Sequence, residues 1–490
     1  MAPIRLNTTL RGLAAVAAVI AGLAVPAAVY AQAPPGDSPA TPPGAAKADP
    51  EQAGIRYKGV TLTPGGFIEA AMLYRSANEN ADIGSTFANV PYEGTANSHL
   101  SEFRGTARQS RLSLLVAGKV GDWKMSGFYE FDFLGAAPTA NEVESNSFNI
   151  RQRQLWAQVE TRSGFSFVAG QTWSLLTLNR QGLSPRSEWI PSTIDAQYVV
   201  GYNWARQWSA RVTEKLGDRK VWLAASVENP ETTLSVVNPP AGVFGLNTSP
   251  NATSPSSQIV VSSTPGANGV STDVAPDVLA KIVFEPDRGH YEIKGLVRFF
   301  RDRVNGSNST TAGGGIGFGA ILPVTRRLDV IAQGLVGSGI GRYASGQTPD
   351  VTLDPDGAII PIKAWHILAG FELHPSAKLD VYGYFGREQS DRADYLDAAG
   401  RGVGYGSPLN DNSACAVETP AAGQACQAQT MSLWQIQPGF WYRFHKGPEG
   451  TLQAGFSYSY TRKNTWPGAG GLAPVGRDHI LMASFRYYIP

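Results

Sequence analysis

Residues 123–133 read WKMSGFYEFDF. Trp123, Met125, Tyr129, Phe131 and Phe133 fall with Gly127 on one side of an extended chain, and Lys124, Ser126, Glu130 and Asp132 on the other. That is a period of two, the signature of a strand with unlike faces. In a soluble sandwich the aromatic face packs on a second sheet; in a membrane barrel it meets lipid while the charged face lines the lumen. One strand cannot choose between these, but the count can. Alternating segments of about 9–11 residues, the length that crosses a bilayer as a tilted strand, recur along the chain. They fall at 66–75, 103–119, 122–134, 148–161, 164–174, 205–216, 219–228, 277–286, 290–302, 313–324, 327–338, 362–373, 377–387, 430–445, 450–462 and 478–488, which makes sixteen.

The connections alternate too. One set is tight, at Val120-Gly121, Ser163-Gly164, Gly217-Asp218, 286–289, Thr325-Arg326, 374–376 and 446–449. The other is long and rich in Gly, Ser, Thr, Asn or Pro: 75–102, 135–147, 175–204, 229–276, 303–312, 339–361, 388–429 and 463–477. Even strand number with short turns on one side and long loops on the other predicts an all-β fold, an antiparallel transmembrane β-barrel with short periplasmic turns and long extracellular loops. Hydrocarbon offers the backbone no hydrogen-bond partner, so an extended chain spans it only in a closed sheet. The final strand places His479, Leu481, Ala483, Phe485 and Tyr487 on one face, with aromatics where an interfacial girdle belongs. Residues 151–161 alternate poorly, which predicts a bulge or a face buried against another subunit.

Composition adds a leader. Arg5 and Arg11 precede and open an apolar stretch at 12–25, and Val29-Tyr30-Ala31 forms a small-residue cleavage site, together a secretory signal peptide. Residues 32–58, rich in Pro, Ala and Gly, hold too little apolar area to offset the entropy of ordering. The expected plan is a signal peptide over 1–31, a disordered periplasmic leader over 32–58 and the barrel over 59–490. Without the first 31 residues the chain carries 39 basic and 40 acidic side chains, a balance that gives no pointer to nucleic acid. Cys415 and Cys426 share one polar stretch of an exported chain, where an oxidising compartment favours a disulfide. No cofactor and no metal are expected, because neither a metal-ligand spacing nor a phosphate loop is present. The six histidines lie apart from any Ser or Asp setting that would make a nucleophile and base, so enzymatic activity is not expected.

A barrel of this strand number encloses a water-filled lumen, whose charge sets selectivity. Between residues 100 and 220 there are 15 Lys or Arg against 11 Asp or Glu. Arg104 and Arg108 share a face of the second segment, with Arg111 following; Arg151 and Arg153 share a face of the fourth; Arg206 and Arg211 flank the sixth. On the ninth, Glu292, Lys294, Arg298 and Asp302 lie opposite Tyr291, Ile293, Val297 and Phe299. Guanidinium groups stay charged and grip carboxylates with paired hydrogen bonds, which suits an anion path. The alternative role is bracing, by pairing with Glu130, Asp132, Glu160, Glu188 or Asp195. Loop 175–204 carries Trp189 and Ile190 as possible anchors on the inner wall and Arg180 and Arg186 as candidates to face the lumen; an external loop is the other reading. The pore-lining candidates are therefore Arg104, Arg108, Arg111, Arg151, Arg153, Arg180, Arg186, Arg211, Lys294 and Arg298.

Several short runs, in order, resemble the landmarks of the DcaP-type outer-membrane porins: Ser110-Arg111-Leu112, Tyr129-Glu130-Phe131-Asp132-Phe133, Arg151-Gln152-Arg153, Gly170-Gln171-Thr172-Trp173-Ser174, 191–195 and Glu228-Asn229-Pro230. The resemblance covers the first half of the mature chain. It implies a homotrimer of sixteen-stranded barrels that admits small anionic solutes, dicarboxylates in particular, through an arginine-lined constriction, and it carries over Arg111, Arg151 and Arg153 as lumen residues. The chain departs from the family where Gln154-Leu155-Trp156 stands in place of His-Ala-Tyr, and where the Pro-rich leader stands in place of a helical N-terminal segment. The expected partners are outer-membrane lipid and small anionic solutes, not nucleic acid. A surface barrel that attaches a partner through loops 229–276 and 388–429, or a barrel enzyme, are the competing expectations.

Overall fold

Sixteen antiparallel strands close on themselves. They are β1 (Val60–Arg75), β2 (Glu102–Thr106 continued by Arg111–Val120), β3 (Trp123–Gly135), β4 (Asn149–Glu160), β5 (Ser166–Trp173), β6 (Arg206–Leu216), β7 (Val221–Glu228) and β8 (Asp277–Phe284). They continue with β9 (His290–Val304), β10 (Ser307–Thr325), β11 (Leu328–Ser338), β12 (Lys363–Ser376), β13 (Leu379–Ser390), β14 (Thr430–Gly447), β15 (Gly450–Thr465) and β16 (Val475–Tyr488). Each pairs with the next, and β16 pairs with β1 from Phe67↔Tyr488 to Arg75↔Ile480, so no edge remains. This computed structural model describes residues 54–81, 83–84, 87–135, 149–216, 220–244, 271–346 and 348–490. The expected signal peptide and most of the expected leader lie outside the described residues. The sheet begins slightly before the expected start at 59, because Ile55–Tyr57 pairs with the first residues of β1.

Outward positions are apolar and exposed: Ile68 and Met72 on β1, Ile293 and Val297 on β9, Phe385 on β13, Phe440 on β14, Phe485 on β16. Inward positions on the same strands are Glu69, Glu292, Lys294, Tyr384, Glu388, Gln435 and Arg486, all buried. The two faces are the polar interior and apolar exterior of a membrane barrel, inverted relative to a soluble protein.

Three departures from simple alternation have local causes. In β4, Glu130 of β3 pairs with Gln154 and Phe131 with Gln152, so Arg153 is the extra residue of a bulge. Arg153 and Gln154 are consequently both buried in the interior. That is the poor alternation of 151–161, resolved as a bulge. In β2 the four residues 107–110 face the three residues 68–70 of β1. Arg104 therefore belongs to the outer segment and Arg108 to the break, a correction to the shared face that their spacing predicts. The third is also a correction: 303–312 is no long loop. Strands β9 and β10 pair continuously to Val304↔Ser307, and Asn305 (φ 47°) and Gly306 (φ 86°) make a two-residue turn of left-handed residues.

Above the strands, loops fold inward and over the mouth. Segment 391–429 holds the Cys415–Cys426 disulfide and a hairpin of Ala393–Leu396 with Gly402–Tyr405. Leu234 of 229–276 bridges to Val351 of 339–362, and Val237 to Gly404. Loop 76–101 stacks Phe87 on Tyr198, with ring centroids 4.5 Å apart. Glu79 of this loop is buried within 3.6 Å of Arg75, and Tyr198 donates a hydrogen bond to it. Burial raises its carboxyl well above the ordinary carboxylate range; Arg75 opposes the shift and the Asp478 carboxylate adds to it. A raised acid holds a proton in the folded state that the unfolded chain releases, so its contribution to stability is full at acid pH and fades as pH rises through the folded value. Thermal unfolding of the detergent-solubilised protein is expected to fall in midpoint from pH 5 to pH 9, with a shallower fall for Glu79→Gln. An unchanged slope in that variant would sink the assignment.

Candidate functional site

Between β5 and β6 the chain leaves the wall and enters the lumen. Residues 174–205 are mostly buried, and their irregular backbone is satisfied by side chains of the inner wall instead of by water or a sheet. The carboxylates of Glu228, Glu292 and Glu388 accept from the amides of Leu175, Asn179 and Gly201 at 2.8 Å each, and Gln435 accepts from Val200 at 3.0 Å. In the other direction Lys281 and Lys294 donate to the carbonyls of Thr177 and Leu176, Trp441 to Ser192 and Arg486 to Ile194, at 2.6–2.7 Å. These donors and acceptors come from β7–β9, β13, β14 and β16, so the loop is laid chiefly against the wall away from β2–β4.

Glu372 on β12 is the densest point of this attachment. One carboxylate oxygen accepts from Trp189 Nε1 (3.0 Å), Ser192 Oγ (3.0 Å) and Tyr384 OH (2.7 Å), the other from Arg180 Nη2 (2.7 Å). Trp189 is thus the inner-wall anchor, with its ring edge-on to Tyr202 and Tyr384. Two glycines permit the close approach. A Cβ on Gly386 would strike the carbonyl of Val200, and one on Gly201, whose φ is +80°, would strike that of Ile367. Glu372, His374 and Asp329 bring possible metal-ligand atoms within 4.8 Å of one another. The Glu372 oxygens already accept four hydrogen bonds and His374 Nδ1 is held by Asp380 at 2.7 Å, so these two groups are already engaged by the protein.

The opposite half of the lumen, β2–β4, carries the charge. Arg151 grips Asp132 with two nitrogens at 2.7 and 3.0 Å. Arg153 reaches Glu130 and Asp132 at 2.8 Å each, and Arg111 lies 3.8 Å from Glu130 with its guanidinium over Phe67. Three guanidinium groups thus share two carboxylates. From the loop side Arg186, exposed and held at φ 72°, sets its guanidinium 4.9 Å from the centre of Phe128 and turns toward this wall. The two halves meet here: an exposed cationic tip on the loop rests on the wall that carries partly exposed Arg111 and Arg151.

The remaining candidates divide. Arg104 pairs with Glu102 at 3.0 Å, and Arg108 donates to the carbonyl of Phe133 at 3.1 Å, both half-buried near the mouth. Arg180 is inside but committed to Glu372. Arg211, Lys294 and Arg298 are inward-facing, as their positions predict, yet lie beneath the loops: Arg211 donates to the Trp173 carbonyl, Lys294 pairs with Glu292 at 3.2 Å, and Arg298 holds Asp277 and Asp350 at 3.1 and 2.7 Å. These three brace loops and do not touch the open path. Two arginines outside the candidate set belong near it. Arg206 donates to Gln197 at 2.7 Å and lies over Trp173 and Trp204, within the field of Arg151 and Arg153. Arg486 pairs with Glu69 at 2.9 Å over Phe67 and Trp441. Inward parity on β16 was the only signal for Arg486, and Arg206 breaks the parity of its own strand.

The fold is similar to that of the outer membrane channel DcaP of Acinetobacter baumannii, at a TM-score of 0.62 and 19% identity over 89% of this chain and 100% of that one. At a TM-score of 0.44 it is also similar to the outer-membrane protein OmpT of Vibrio cholerae (9% identity, 89% and 100% covered) and to Salmonella typhi OmpF (11%, 89% and 99%). No protein-family model matches the sequence, and no curated relative does. The DcaP-type architecture that the residues of the first half suggest is present across the whole barrel.

Proposed function

We infer that the protein is an outer-membrane porin through which small hydrophilic solutes diffuse passively, with preference for anions of dicarboxylate type. The observation that carries this reading is the loop 174–205 folded into the lumen, its exposed Arg186 set against the wall that carries the Arg111, Arg151 and Arg153 cluster. A closed barrel with a polar interior is a conduit, and an inner loop narrows it. Where the path is narrow the solute sheds part of its hydration, and fixed guanidinium groups replace that water for an anion. Glu130 and Asp132 temper the field, so an anion is attracted without being held, and release follows entry.

A dicarboxylate fits cationic groups supplied by both loop and wall better than a monovalent anion does. Arg111, Arg151 and Arg186 are the groups with exposure enough to touch it; Arg153 and Arg206 position them and shape the field. Assembly as a homotrimer goes with this reading. Planar-bilayer recording tests it. Discrete conductance steps are expected, with a reversal potential on the anion side in a KCl gradient, and succinate is expected to reduce the chloride current at millimolar concentration. Absence of steps would end the porin reading, and a cation-side reversal potential would end the anion preference alone.

A further inference from the structure

The outer wall carries a second arginine cluster, facing away from the lumen. On β13–β16 the outward residues at one level are Arg387, Trp434, Arg462 and Arg477, linked by the pairings Arg387↔Trp434, Trp434↔Arg462 and Arg462↔Arg477. One level nearer the short turns the outward residues are Phe385, Ile436, Tyr460 and His479. Phe440, Tyr442 and Phe444 follow further along β14 and are exposed. From Tyr442 to Trp434 the strand rises about 26 Å, or about 20 Å along the barrel axis at the usual tilt. The arginine row therefore sits at the loop-side rim of an apolar band of about 25 Å, where hydrocarbon gives way to headgroups.

Among the described residues its charge is neutralised only in part. Arg387 donates to Gln389 at 2.8 Å and lies 5.5 Å over the Trp365 ring, and Arg462 donates to Asn464 at 2.9 Å. Both partners are neutral amides two residues along the same strand, which aim the guanidinium groups without cancelling them. Among the described residues neither arginine pairs with a carboxylate, and Arg387 Nε is buried without a partner. Of the row, among the described residues, only Arg477 has an acid, Glu93 at 2.9 Å, and both are half exposed. Arg462 and Arg477 are moreover direct cross-strand neighbours. Like charges at such positions, about 5 Å apart at Cβ, destabilise a sheet unless something anionic lies between them.

We propose that this row binds the phosphate of an outer-leaflet lipid headgroup, with the acyl chains lying along the apolar band beneath it. Trp365, Trp434 and Tyr460, the last two in edge-to-face contact with centroids 5.1 Å apart, form the amphipathic floor on which the headgroup rests. Guanidinium groups are suited to phosphate through paired hydrogen bonds. The inference uses the membrane-spanning orientation of the barrel and is independent of what passes through the lumen.

Native mass spectrometry of the full chain in detergent micelles tests it, with diphosphoryl lipid A as the probe. The unaltered protein is expected to retain the lipid, and Arg387→Gln/Arg462→Gln/Arg477→Gln to lose at least tenfold in affinity, with the arginine-to-lysine triple variant between them and single-channel conductance unchanged. Inorganic phosphate in tenfold excess is expected not to displace the lipid. Equal binding by the glutamine triple variant would overturn the proposal, as would an equal loss in Arg301→Gln/Arg303→Gln, which removes charge from a different strand. Displacement by inorganic phosphate would reassign the row to a free anion and overturn the lipid claim. Retained heat-modifiable migration in gels separates a binding loss from a folding failure.

Discussion

Glu372→Ala is expected to widen and destabilise the channel together. The substitution strips Arg180, Trp189, Ser192 and Tyr384 of a shared acceptor, at the point where loop 174–205 meets β12. Breaking a buried pair on one side leaves the other charge uncompensated, which costs about 3–5 kcal/mol. Because the loop is also tied at Glu292, Glu388 and Gln435, the loss falls on its middle and frees 180–192 to move off the wall. Single-channel conductance is expected to rise with much greater open-channel noise, and the thermal midpoint to drop by several degrees. Glu372→Gln keeps one acceptor oxygen and is expected to show a smaller change of the same kind. A quiet Glu372→Ala channel of unchanged conductance would mean that the loop does not depend on this carboxylate. Gly386→Ala approaches the same question sterically, through the Val200 carbonyl, without touching any charge.

Reversing the balance at the wall should move selectivity in both directions. In the cluster of Arg111, Arg151 and Arg153 against Glu130 and Asp132 the count is three positive to two negative. Arg151→Gln/Arg153→Gln makes it one to two. A unit charge about 10 Å from the ion's path in water is worth about 0.4 kcal/mol, so removing two shifts anion and cation by about 0.8 kcal/mol each in opposite senses and changes the anion-to-cation permeability ratio about fifteenfold toward cations. Glu130→Gln/Asp132→Asn is expected to shift it by a similar factor toward anions. Both are read as reversal potentials in a salt gradient, and both should shrink as ionic strength rises and screening shortens. Movement in the same direction by both pairs would show that structure, not field, had changed.

The barrel was legible because its signal is repeated sixteen times. Period-two alternation in 123–133 survives as β3 with the expected faces, and poor alternation in 151–161 is the bulge that brings Arg153 to Glu130. Misreading came where composition and geometry part company. Residues 303–312 contain the Gly, Ser, Asn and Thr of a loop, but the chain continues as strand through them because only Asn305 and Gly306 need left-handed backbone. In the site, the lumen placement of Arg111, Arg151 and Arg153 could be read from the motifs that resemble the DcaP-type porins and not from parity, because a break in β2 separates Arg111 from Arg104 and a bulge in β4 holds Arg153. Their exposure could not, since it depends on which half of the wall the loop covers. That is decided by Glu292, Glu372, Glu388 and Gln435, between 113 and 235 residues distant from the loop residues that they bind, and no local pattern marks them.

Those distances bear on how the barrel assembles. Loop 174–205 precedes in the chain nearly every strand that holds it, and Lys281, Glu292 and Lys294 form a fully buried set that meets its backbone at Thr177, Asn179 and Leu176. Without the loop these buried charges would be left with incomplete partners. The loop is thus the inner former against which these later strands pack, and Arg486 beside the seam of β16 and β1 reaches back to its Ile194. Deleting the segment to obtain a wider pore would accordingly remove the former on which the cylinder is shaped, and the loss would appear as failed insertion before it appeared as altered flow.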